Sequence, residues 1–417
     1  MDVSLFTRDR QVKNKRVNKR KLKMSLRSIK QEFITSSNRA VEFKLIRNAC
    51  DLWNDNGIFR PKMSHQIFGE EEQIYGYENL VIKVNYAAAS LTIFISIYYK
   101  ERLEDAMPAN IMKTLADKYE CRNFVTNINE FERLLKNEES FKPFGDLLNK
   151  FTIEKSESSL HTFSIYKCSA ETTGFLEYHS KMQTFLLWFI DAASFINTND
   201  KSWKFYVIYE NYNSANNTPQ YAFVGYFTVY EFYCYPDKIR PRISQALILP
   251  PFQRMGLCAK LIKTVQMHYS SMKEVFDITV EDPDISFQRV RDYVDCSNCL
   301  HLVSFQPERL CAGFHNDMIE EARIKHKINK KQVRRIYEIL RFYTTNIYNE
   351  TQYKEYVQEV HKRLNAEFQR RNINLLKTNR ACLKQKQIST QLKKIVPKLN
   401  EEYTKVLNRI MEYPLEY

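Results

Sequence analysis

The segment that decides the fold runs from Gln245 to Pro283 and reads QALILPPFQRMGLCAKLIKTVQMHYSSMKEVFDITVEDP. Its first part, Ala246 to Leu249, is a short apolar run that predicts a strand. Pro250-Pro251 ends this strand because proline has no backbone N–H. Gln253 to Gly256 then begins a helix whose apolar residues recur at helical spacing. These residues are Leu257, Leu261, Ile262 and Val265. Since the first N–H groups of a helix have no partner within it, such a unit is typical of a phosphate-binding site.

A second strand follows the helix and ends in acidic residues. The run from Val275 to Val280 is predicted to be a buried strand, and Glu281-Asp282-Pro283 closes it. Carboxylates at the carboxyl end of a strand are well placed for proton transfer. In isolation, the same pair could instead cap a helix that begins after Pro283.

These residues resemble motif A of the GNAT acetyltransferases, whose pattern Gln/Arg-x-x-Gly-x-Gly/Ala holds the pyrophosphate of acetyl-CoA. Three further segments resemble the catalytic subunit of type B histone acetyltransferases: FKPFGDLL at 141–148, MQTFLLWFIDAASFI at 182–196 and YPDKIRPRISQ at 235–245. The resemblance covers the chain from about Ala40 to Thr345. One position departs from the pattern, since Cys258 stands where the family has Gly or Ala.

The resemblance implies an α/β fold: a GNAT acetyltransferase core with an N-terminal α/β domain and a C-terminal helical domain. We predict a basic, disordered arm at 1–35, a substrate-binding α/β domain at 36–142, an acetyl-CoA-binding catalytic domain at 143–285, a helical domain at 286–346 and a charged helical tail at 347–417. Gly174 to Phe195 is predicted to be one long amphipathic helix. Tyr353, Val357, Val360, Leu364 and Phe368 recur at helical spacing in the tail, which favours a solvent-facing or partner-binding helix over a core helix. Pro397 is predicted to break a helix further on.

The resemblance also implies the roles of individual residues. Glu281 is implied to be the general base, with Asp282 and Asp191 as supporting or alternative carboxylates; the family position that matches Asp191 is usually Glu. Backbone groups on the strand are implied to pair with the pantetheine arm, and the start of the helix is implied to hold the pyrophosphate. The implied cofactor-binding residues are Ala246, Leu247, Ile248, Gln253, Arg254, Met255, Gly256, Leu257, Cys258, Ala259 and Ser286.

Three short segments are implied to bind the substrate: Glu70-Glu71-Glu72, Trp203 and Tyr230-Glu231-Phe232. A basic peptide such as the histone H4 tail needs acidic groups along its path and aromatic walls for its lysine stems. Without the resemblance, the acidic triplet is typical of a solvated turn, and Trp203 of a core residue.

Composition agrees with a multidomain enzyme in a reducing compartment. The apolar content of 44% is too high for overall disorder, and 417 residues are too many for one ordinary core. The longest apolar run, Ala87 to Tyr99, is too short to span a membrane, and the N-terminus is charged where a signal peptide is apolar. We therefore expect an intracellular protein without membrane attachment, and the resemblance implies the nucleus and cytoplasm. Nine scattered cysteines do not predict disulfides.

Cys296, Cys299, Cys311 and His315 have the ligand types and roughly the spacing of a zinc site. The apolar residues between them, however, favour a packed core, and the resemblance implies no metal. These core residues are Leu300, Leu302, Val303 and Phe305. We therefore predict buried thiols and no metal.

The expected function is transfer of acetyl from acetyl-CoA to lysine on the N-terminal tail of free, newly made histone H4, which is accompanied by H3. By resemblance, a WD-repeat histone chaperone is the partner. An alternative is a GNAT enzyme for another protein or a small amine. A second alternative is a basic chromatin-binding protein, because the net charge is +14 and the first 30 residues are rich in Lys and Arg. That basic arm is typical of a solvated tail, a nuclear-import segment or a nucleic-acid contact.

Overall fold

The computed structural model describes residues 31–103, 107–119, 124–156, 159–214, 216–371 and 381–415. Most of the predicted basic arm, with its possible nucleic-acid contact, lies outside these residues. Helices and strands are mixed along the chain, which confirms the α/β class. Among these residues, no helix combines the length and the apolar character that a membrane span requires.

The residues form two compact units. The first comprises the described residues up to 201 together with those in 207–225 and 249–252, and the second comprises the described residues in 202–206, 226–248 and 253–417. The strands are β1 Ile34–Ser36, β2 Val41–Ile46, β3 Gln73–Tyr75, β4 Tyr77–Glu78, β5 Val81–Ala87, β6 Ile93–Tyr98, β7 Glu101–Arg102, β8 Phe124–Val125, β9 Asp146–Ser156, β10 Ser159–Ser169, β11 Trp203–Asn213, β12 Pro219–Cys234, β13 Lys238–Ile248 and β14 Thr279–Val280. The α-helices are α1 Ser37–Ala40, α2 His65–Phe68, α3 Ile111–Tyr119, α4 Ile128–Leu135, α5 Phe175–Met182, α6 Leu186–Phe189, α7 Leu257–Ser270, α8 Ile285–Cys299, α9 Pro307–Cys311, α10 Asn316–His326, α11 Lys330–Thr344, α12 Glu350–Arg371 and α13 Ala381–Glu412.

A four-stranded sheet of order β2-β5-β6-β8 organises the first unit. Alternate residues of each strand lie on opposite faces. Phe94 packs with α4 through Phe131 and Leu135 in one apolar cluster. A second apolar group surrounds Phe43, whose ring centroid lies 5.2 Å from that of Trp188. Aromatic side chains thus fill much of this core.

The predicted long helix from Gly174 to Phe195 is wrong in its second half. Helix α5 is followed by a 3₁₀ turn at Gln183–Phe185 and by the short α6, which ends at Phe189. The Trp188 carbonyl accepts the N–H groups of Lys62 and Met63 at 3.0 and 3.1 Å. Because this pairing with a distant loop replaces the next helical hydrogen bond, the chain turns away before Asp191.

The five longest strands and the short β14 form a six-stranded sheet of order β14-β13-β12-β11-β10-β9. Strands β9 and β10 are antiparallel, whereas β14 runs parallel to β13. Strand β13 ends at Ile248, which confirms the predicted stop before Pro250, but it begins at Lys238, well before the apolar run. The polar first half of β13 forms a strand because the neighbouring strands of the sheet supply its hydrogen-bond partners.

The predicted strand from Val275 to Val280 is reduced to Thr279–Val280. The preceding residues pair irregularly, since Val275 and Ile278 form isolated bridges to Ile239 and Ile328. The Ile278 N–H bonds to the Lys327 carbonyl at 2.7 Å, away from β13. A regular ladder therefore forms only in the last two residues before Glu281.

The C-terminal segment contributes to a core, contrary to the expectation of a solvent-facing or partner-binding helix. Tyr356 and Val360 of α12 are 1% exposed and pack with Val396 of α13. Pro397 does not break a helix, because α13 continues through it to Glu412. Tyr403 and Val406 beyond it are buried, and this packing offsets the hydrogen bond that proline cannot make.

Candidate functional site

The loop between β13 and α7 has the backbone of an anion-binding turn. Arg254 and Gly256 both adopt left-handed conformations, with φ of +66° and +77°. The first hydrogen bond into α7 runs from the Lys260 N–H to the Gly256 carbonyl at 3.1 Å. The N–H groups of the helical residues before Lys260 therefore have no preceding turn to bond with, and they lie at the positive end of the helix dipole.

Gly256 is the residue on which this loop depends. A Cβ built on it meets no atom within 4 Å, so the space beside its backbone is open. Its positive φ is one that residues with a side chain rarely adopt. Together, the open space and the helix start fit the pyrophosphate of a nucleotide cofactor.

The flanking residues support the same loop. The Gln253 side-chain amide donates to the Ile248 carbonyl at 2.8 Å, which fixes the end of β13. The Gln245 N–H, just before Ala246, bonds to the hydroxyl of Thr228 at 3.0 Å. Cys258 is half-buried on α7, and burial raises the pKa of its thiol to about 12, so it stays neutral. Ser286 is an exposed residue in the first turn of α8.

Glu281 and Asp282 follow β14 directly and are both exposed. The Glu281 N–H bonds to the Ile243 carbonyl of β13 at 2.9 Å, and the Ser244 hydroxyl lies 2.5 Å from Glu281 Oε2. Asp282 has a φ of +29°. Neither residue caps the next helix, because Asp284 accepts the Phe287 N–H at 2.7 Å and serves as the N-cap of α8. The N-cap position of α8 is therefore occupied by Asp284, not by Glu281 or Asp282.

The backbone before Glu281 is held by the start of α11. Asn329 is the N-cap of α11, since its side-chain oxygen accepts the Gln332 N–H at 3.1 Å. Its side-chain nitrogen donates to the Ile278 carbonyl at 2.8 Å, and Lys327 Nζ donates to the Val275 carbonyl at 3.0 Å. These bonds fix the edge of the sheet that carries the carboxylates.

Asp191 lies in the first unit, beyond the end of α6, with its side chain 74% exposed. The imidazole of His65 lies beside it, with Nε2 3.2 Å from Asp191 Oδ1. The other ring nitrogen of His65 is 3.8 Å from Glu72 Oε1. A histidine between two carboxylates is thus part of the surroundings of Asp191, and no sequence pattern pointed to it.

The three glutamates of the acidic triplet have different surroundings: Glu72 is hydrogen-bonded within its loop, whereas Glu70 and Glu71 are exposed. Glu72 accepts the N–H groups of Ser64 and His65 at 2.6 and 3.1 Å and the Asn38 amide at 2.6 Å. Hydrogen bonds from these groups, led by the Ser64 N–H, lower the pKa of Glu72. Glu70 and Glu71 are exposed, and Glu71 accepts the Tyr75 hydroxyl at 2.6 Å, which raises the Tyr75 pKa. Glu72 therefore organises the loop, while Glu70 and Glu71 face solvent.

In the second unit, aromatic side chains form a short row. The ring centroids of Trp203 and Tyr230 lie 5.0 Å apart and those of Tyr230 and Phe232 4.5 Å apart. The Arg242 guanidinium lies 4.6 Å from the Phe232 centroid. Glu231 lies on the opposite face of β12, where it accepts the Tyr269 hydroxyl at 2.9 Å and pairs with Lys204 at 3.6 Å.

The cysteines of the zinc alternative do not converge on a site. Cys296 and Cys299 are buried within α8, and burial raises the pKa of both thiols well above the usual range. Cys311 is exposed at the end of α9. In the parts of the chain that the structure describes, no three His, Cys, Asp or Glu side chains are arranged to hold a metal ion.

Two family models match the chain. The model described as "Histone acetyl transferase HAT1 N-terminus" matches residues 33–191. The model described as "Histone acetyltransferase type B catalytic subunit, C-terminal" matches residues 291–342. The loop between β13 and α7 and Glu281 lie between the two matched regions.

Curated relatives match over nearly the full length. The human protein named histone acetyltransferase type B catalytic subunit is 38% identical over 91% of this chain and 94% of its own. The protein of the same name from Mycosarcoma maydis is 30% identical over 81% of both chains. A crystal structure of an aminoglycoside acetyltransferase from an uncultured soil metagenomic sample covers 31% of this chain and 84% of its own, with 16% identity and a TM-score of 0.24. That partial likeness adds nothing to the assignment.

Proposed function

The chain belongs to the family of type B histone acetyltransferase catalytic subunits and is an acetyltransferase, and we propose that it acetylates lysine on the N-terminal tail of histone H4. One arrangement in the second unit carries the proposal. Along β13 and the following residues, Ser244 beside Glu281, the segment Ala246–Ile248 and the loop before α7 follow one another. This order suits a base, a track for an extended cofactor arm and a phosphate site on one strand.

Glu281 is the proposed general base. A lysine amine has an unperturbed pKa of about 10.4, so its deprotonation at neutral pH costs about 4 to 5 kcal/mol. An exposed carboxylate at the end of β14 can accept that proton as the amine reacts. Asp282 and Asp191 are the proposed supporting or alternative carboxylates.

Acetyl-CoA is the proposed cosubstrate and would supply an acetyl thioester with a good leaving group. The N–H groups at the start of α7 would hold its pyrophosphate, and the backbone of Ala246 to Ile248 would pair with its pantetheine arm. We propose no covalent intermediate on the enzyme, since the amine can react with a thioester directly.

The proposed peptide contacts follow from the chemistry of a basic tail. In the first unit, Glu70 and Glu71 offer exposed negative charge. In the second unit, Trp203, Tyr230 and Phe232 offer aromatic faces for lysine stems. We propose free H4 accompanied by H3 as the substrate, a WD-repeat histone chaperone as the partner, and the nucleus and cytoplasm as the location.

The substrate can be tested by measuring acetyl transfer to an H4 tail peptide. Its composition-matched scrambled peptide and a small diamine serve as comparisons. We expect kcat/KM for the H4 peptide to exceed that for the scrambled peptide by at least about 10-fold, because recognition needs the spacing of charges and lysine. Equal values would favour the alternative of a GNAT enzyme with another substrate. Tight histone or DNA binding without turnover would favour a basic chromatin-binding protein.

The exposed acidic pair gives a second prediction. Changing Glu70 and Glu71 together to Gln should raise the KM for the H4 peptide by roughly 2- to 30-fold, since each exposed charge contributes about 0.2 to 1 kcal/mol. The difference should shrink at high salt, where exposed charges are screened. Steady-state kinetics at low and high ionic strength, with the acetyl-CoA KM as reference, measures both effects.

A matched control removes the same charge elsewhere in the first unit. Glu130 and Glu139 are exposed, so changing both to Gln should leave the peptide KM unchanged. Glu72→Gln should instead lower thermal stability, because the Glu72 carboxylate accepts three hydrogen bonds within its loop. If the Glu70/Glu71 variant and the control have the same peptide KM at low salt, the pair does not contribute to peptide binding and is part of an ordinary solvated turn.

A further inference from the structure

We propose that Ser244 is a positioning residue for the candidate base: its hydroxyl holds Glu281 Oε2 and leaves Oε1 as the atom that receives the substrate proton. The inference rests on the proposed role of Glu281 and adds the group that orients it. Ser244 lies in the segment YPDKIRPRISQ at 235–245, for which the sequence implied no individual catalytic role. Its contact arises from the pairing of β13 with β14.

The backbone places the two residues side by side. Strands β13 and β14 are parallel, and Ile243 is the register partner of Val280. The Glu281 N–H bonds to the Ile243 carbonyl at 2.9 Å, which extends the pairing by one residue. Ser244 and Glu281 are therefore neighbours across the ladder, where short side chains meet directly.

The hydroxyl must be the donor in this contact. An ionised carboxylate can only accept, so Ser244 donates its hydrogen to Oε2. The separation of 2.5 Å is typical of a hydroxyl bonded to a charged carboxylate, which is among the stronger hydrogen bonds in proteins. In the part of the chain that the structure describes, the carboxylate of Glu281, rather than that of Asp282, accepts this side-chain hydrogen bond.

The bond matters because Glu281 is exposed and its side chain has several rotatable bonds. Without a partner, the carboxylate would sample orientations in which neither oxygen faces the amine. With Oε2 held, Oε1 takes a restricted set of positions. In the proposed step, the N–H bond of the substrate ammonium breaks and an O–H bond forms at Oε1, and Glu281 later releases this proton to water. A base that is already oriented avoids an entropic cost at this step.

Other groups hold the strand, so loss of the hydroxyl should leave the fold intact. The Ile278 carbonyl accepts from the Asn329 side chain at 2.8 Å, and the Ile278 N–H bonds to the Lys327 carbonyl at 2.7 Å. The Ile243 carbonyl fixes Glu281 through the backbone. Ser244 thus acts on the orientation of one side chain.

The test is Ser244→Ala, with Ser244→Thr as the conservative variant. We expect Ser244→Ala to lower kcat by about 10- to 100-fold, as a misplaced reacting group does, while the peptide KM and the acetyl-CoA Kd change by less than about 2-fold. Ser244→Thr keeps the hydroxyl on Cβ and should restore most of kcat, since a β-branched residue suits a strand. Thr279→Val is the matched control: this hydroxyl lies on β14 and makes two long contacts, each of 3.4 Å, with the Pro241 carbonyl and with Arg242 Nε. Its removal should leave kcat unchanged.

A double-mutant cycle separates this inference from the proposed function. With Glu281→Gln present, Ser244→Ala should lower kcat by less than about 2-fold further, because there is no base left to orient. If Glu281→Gln is severe but Ser244→Ala is neutral, the positioning role is wrong and the base assignment stands. If Ser244→Ala lowers kcat equally with and without Glu281, the hydroxyl acts independently of the base and the inference is also wrong. If Glu281→Gln itself is nearly neutral, it is the proposed base that fails.

Discussion

Glu281→Gln is expected to lower kcat at neutral pH by roughly 100-fold or more while leaving the acetyl-CoA Kd nearly unchanged, a loss typical of removing a general base. Glutamine has the same shape, and its amide oxygen can still accept from the Ser244 hydroxyl. The variant therefore removes the basic oxygen without disturbing the sheet edge. Single-turnover acetylation of the H4 peptide and calorimetric titration of acetyl-CoA measure the two quantities separately.

The pH profile should change as well. The wild-type rate should fall at acidic pH as the base becomes protonated, and the glutamine variant should lack this limb. Its residual rate should instead rise with the fraction of neutral lysine, about tenfold per pH unit below a pKa of about 10.4. Glu274→Gln is the control, because Glu274 is exposed in the same unit and precedes the strand. If kcat barely changes in Glu281→Gln, Asp282 or Asp191 is the base, and the corresponding Asn variants would identify which.

The sequence predicted the centre of the fold because local rules decide it. The stop of β13 before Pro250 follows from a missing backbone donor, and the helix after Gly256 follows from its apolar spacing. The end of β14 just before Glu281 was likewise predictable from an apolar run followed by acidic residues. The shared principle is that each feature depends on neighbours in sequence.

Long-range contacts account for the errors. Helix α6 ends early because the Trp188 carbonyl bonds to Lys62 and Met63, which are more than a hundred residues away. Helix α13 passes through Pro397 because residues on both sides of it are buried. Neither partner is visible in a local window, so periodicity and propensity gave the wrong length in one case and a false break in the other.

The candidate site shows the same division. The types of residue that carry chemistry were predictable, but their partners were not. Ser244 meets Glu281 through the register of a parallel pair, and His65 meets Asp191 through the folding of the first unit. Glu70, Glu71 and Glu72 are alike in sequence, but Glu72 accepts hydrogen bonds within its loop whereas Glu70 and Glu71 are exposed. Only the fold distinguishes them.

Gly256→Glu is expected to weaken acetyl-CoA binding by roughly 100-fold or more while the protein remains folded. The new side chain would enter the open space beside the loop backbone, where phosphate oxygens need to approach the N–H groups of α7. Its negative charge would also repel the pyrophosphate. Calorimetric titration of acetyl-CoA gives the affinity, and thermal unfolding gives the stability.

Backbone strain alone must be separated from this effect, and the chain provides a control. Gly57 has the same φ of +77° and also has no atom within 4 Å of a built Cβ, but it lies outside the phosphate loop. Gly57→Glu should therefore lower stability by a similar amount, about 1 to 2 kcal/mol, because both variants force a side chain into the left-handed region. Its acetyl-CoA affinity should match that of the wild type. Equal acetyl-CoA affinities of the folded Gly256→Glu and Gly57→Glu variants would mean that the pyrophosphate binds elsewhere. The proposed binding of the pantetheine arm along β13 would then lose its support.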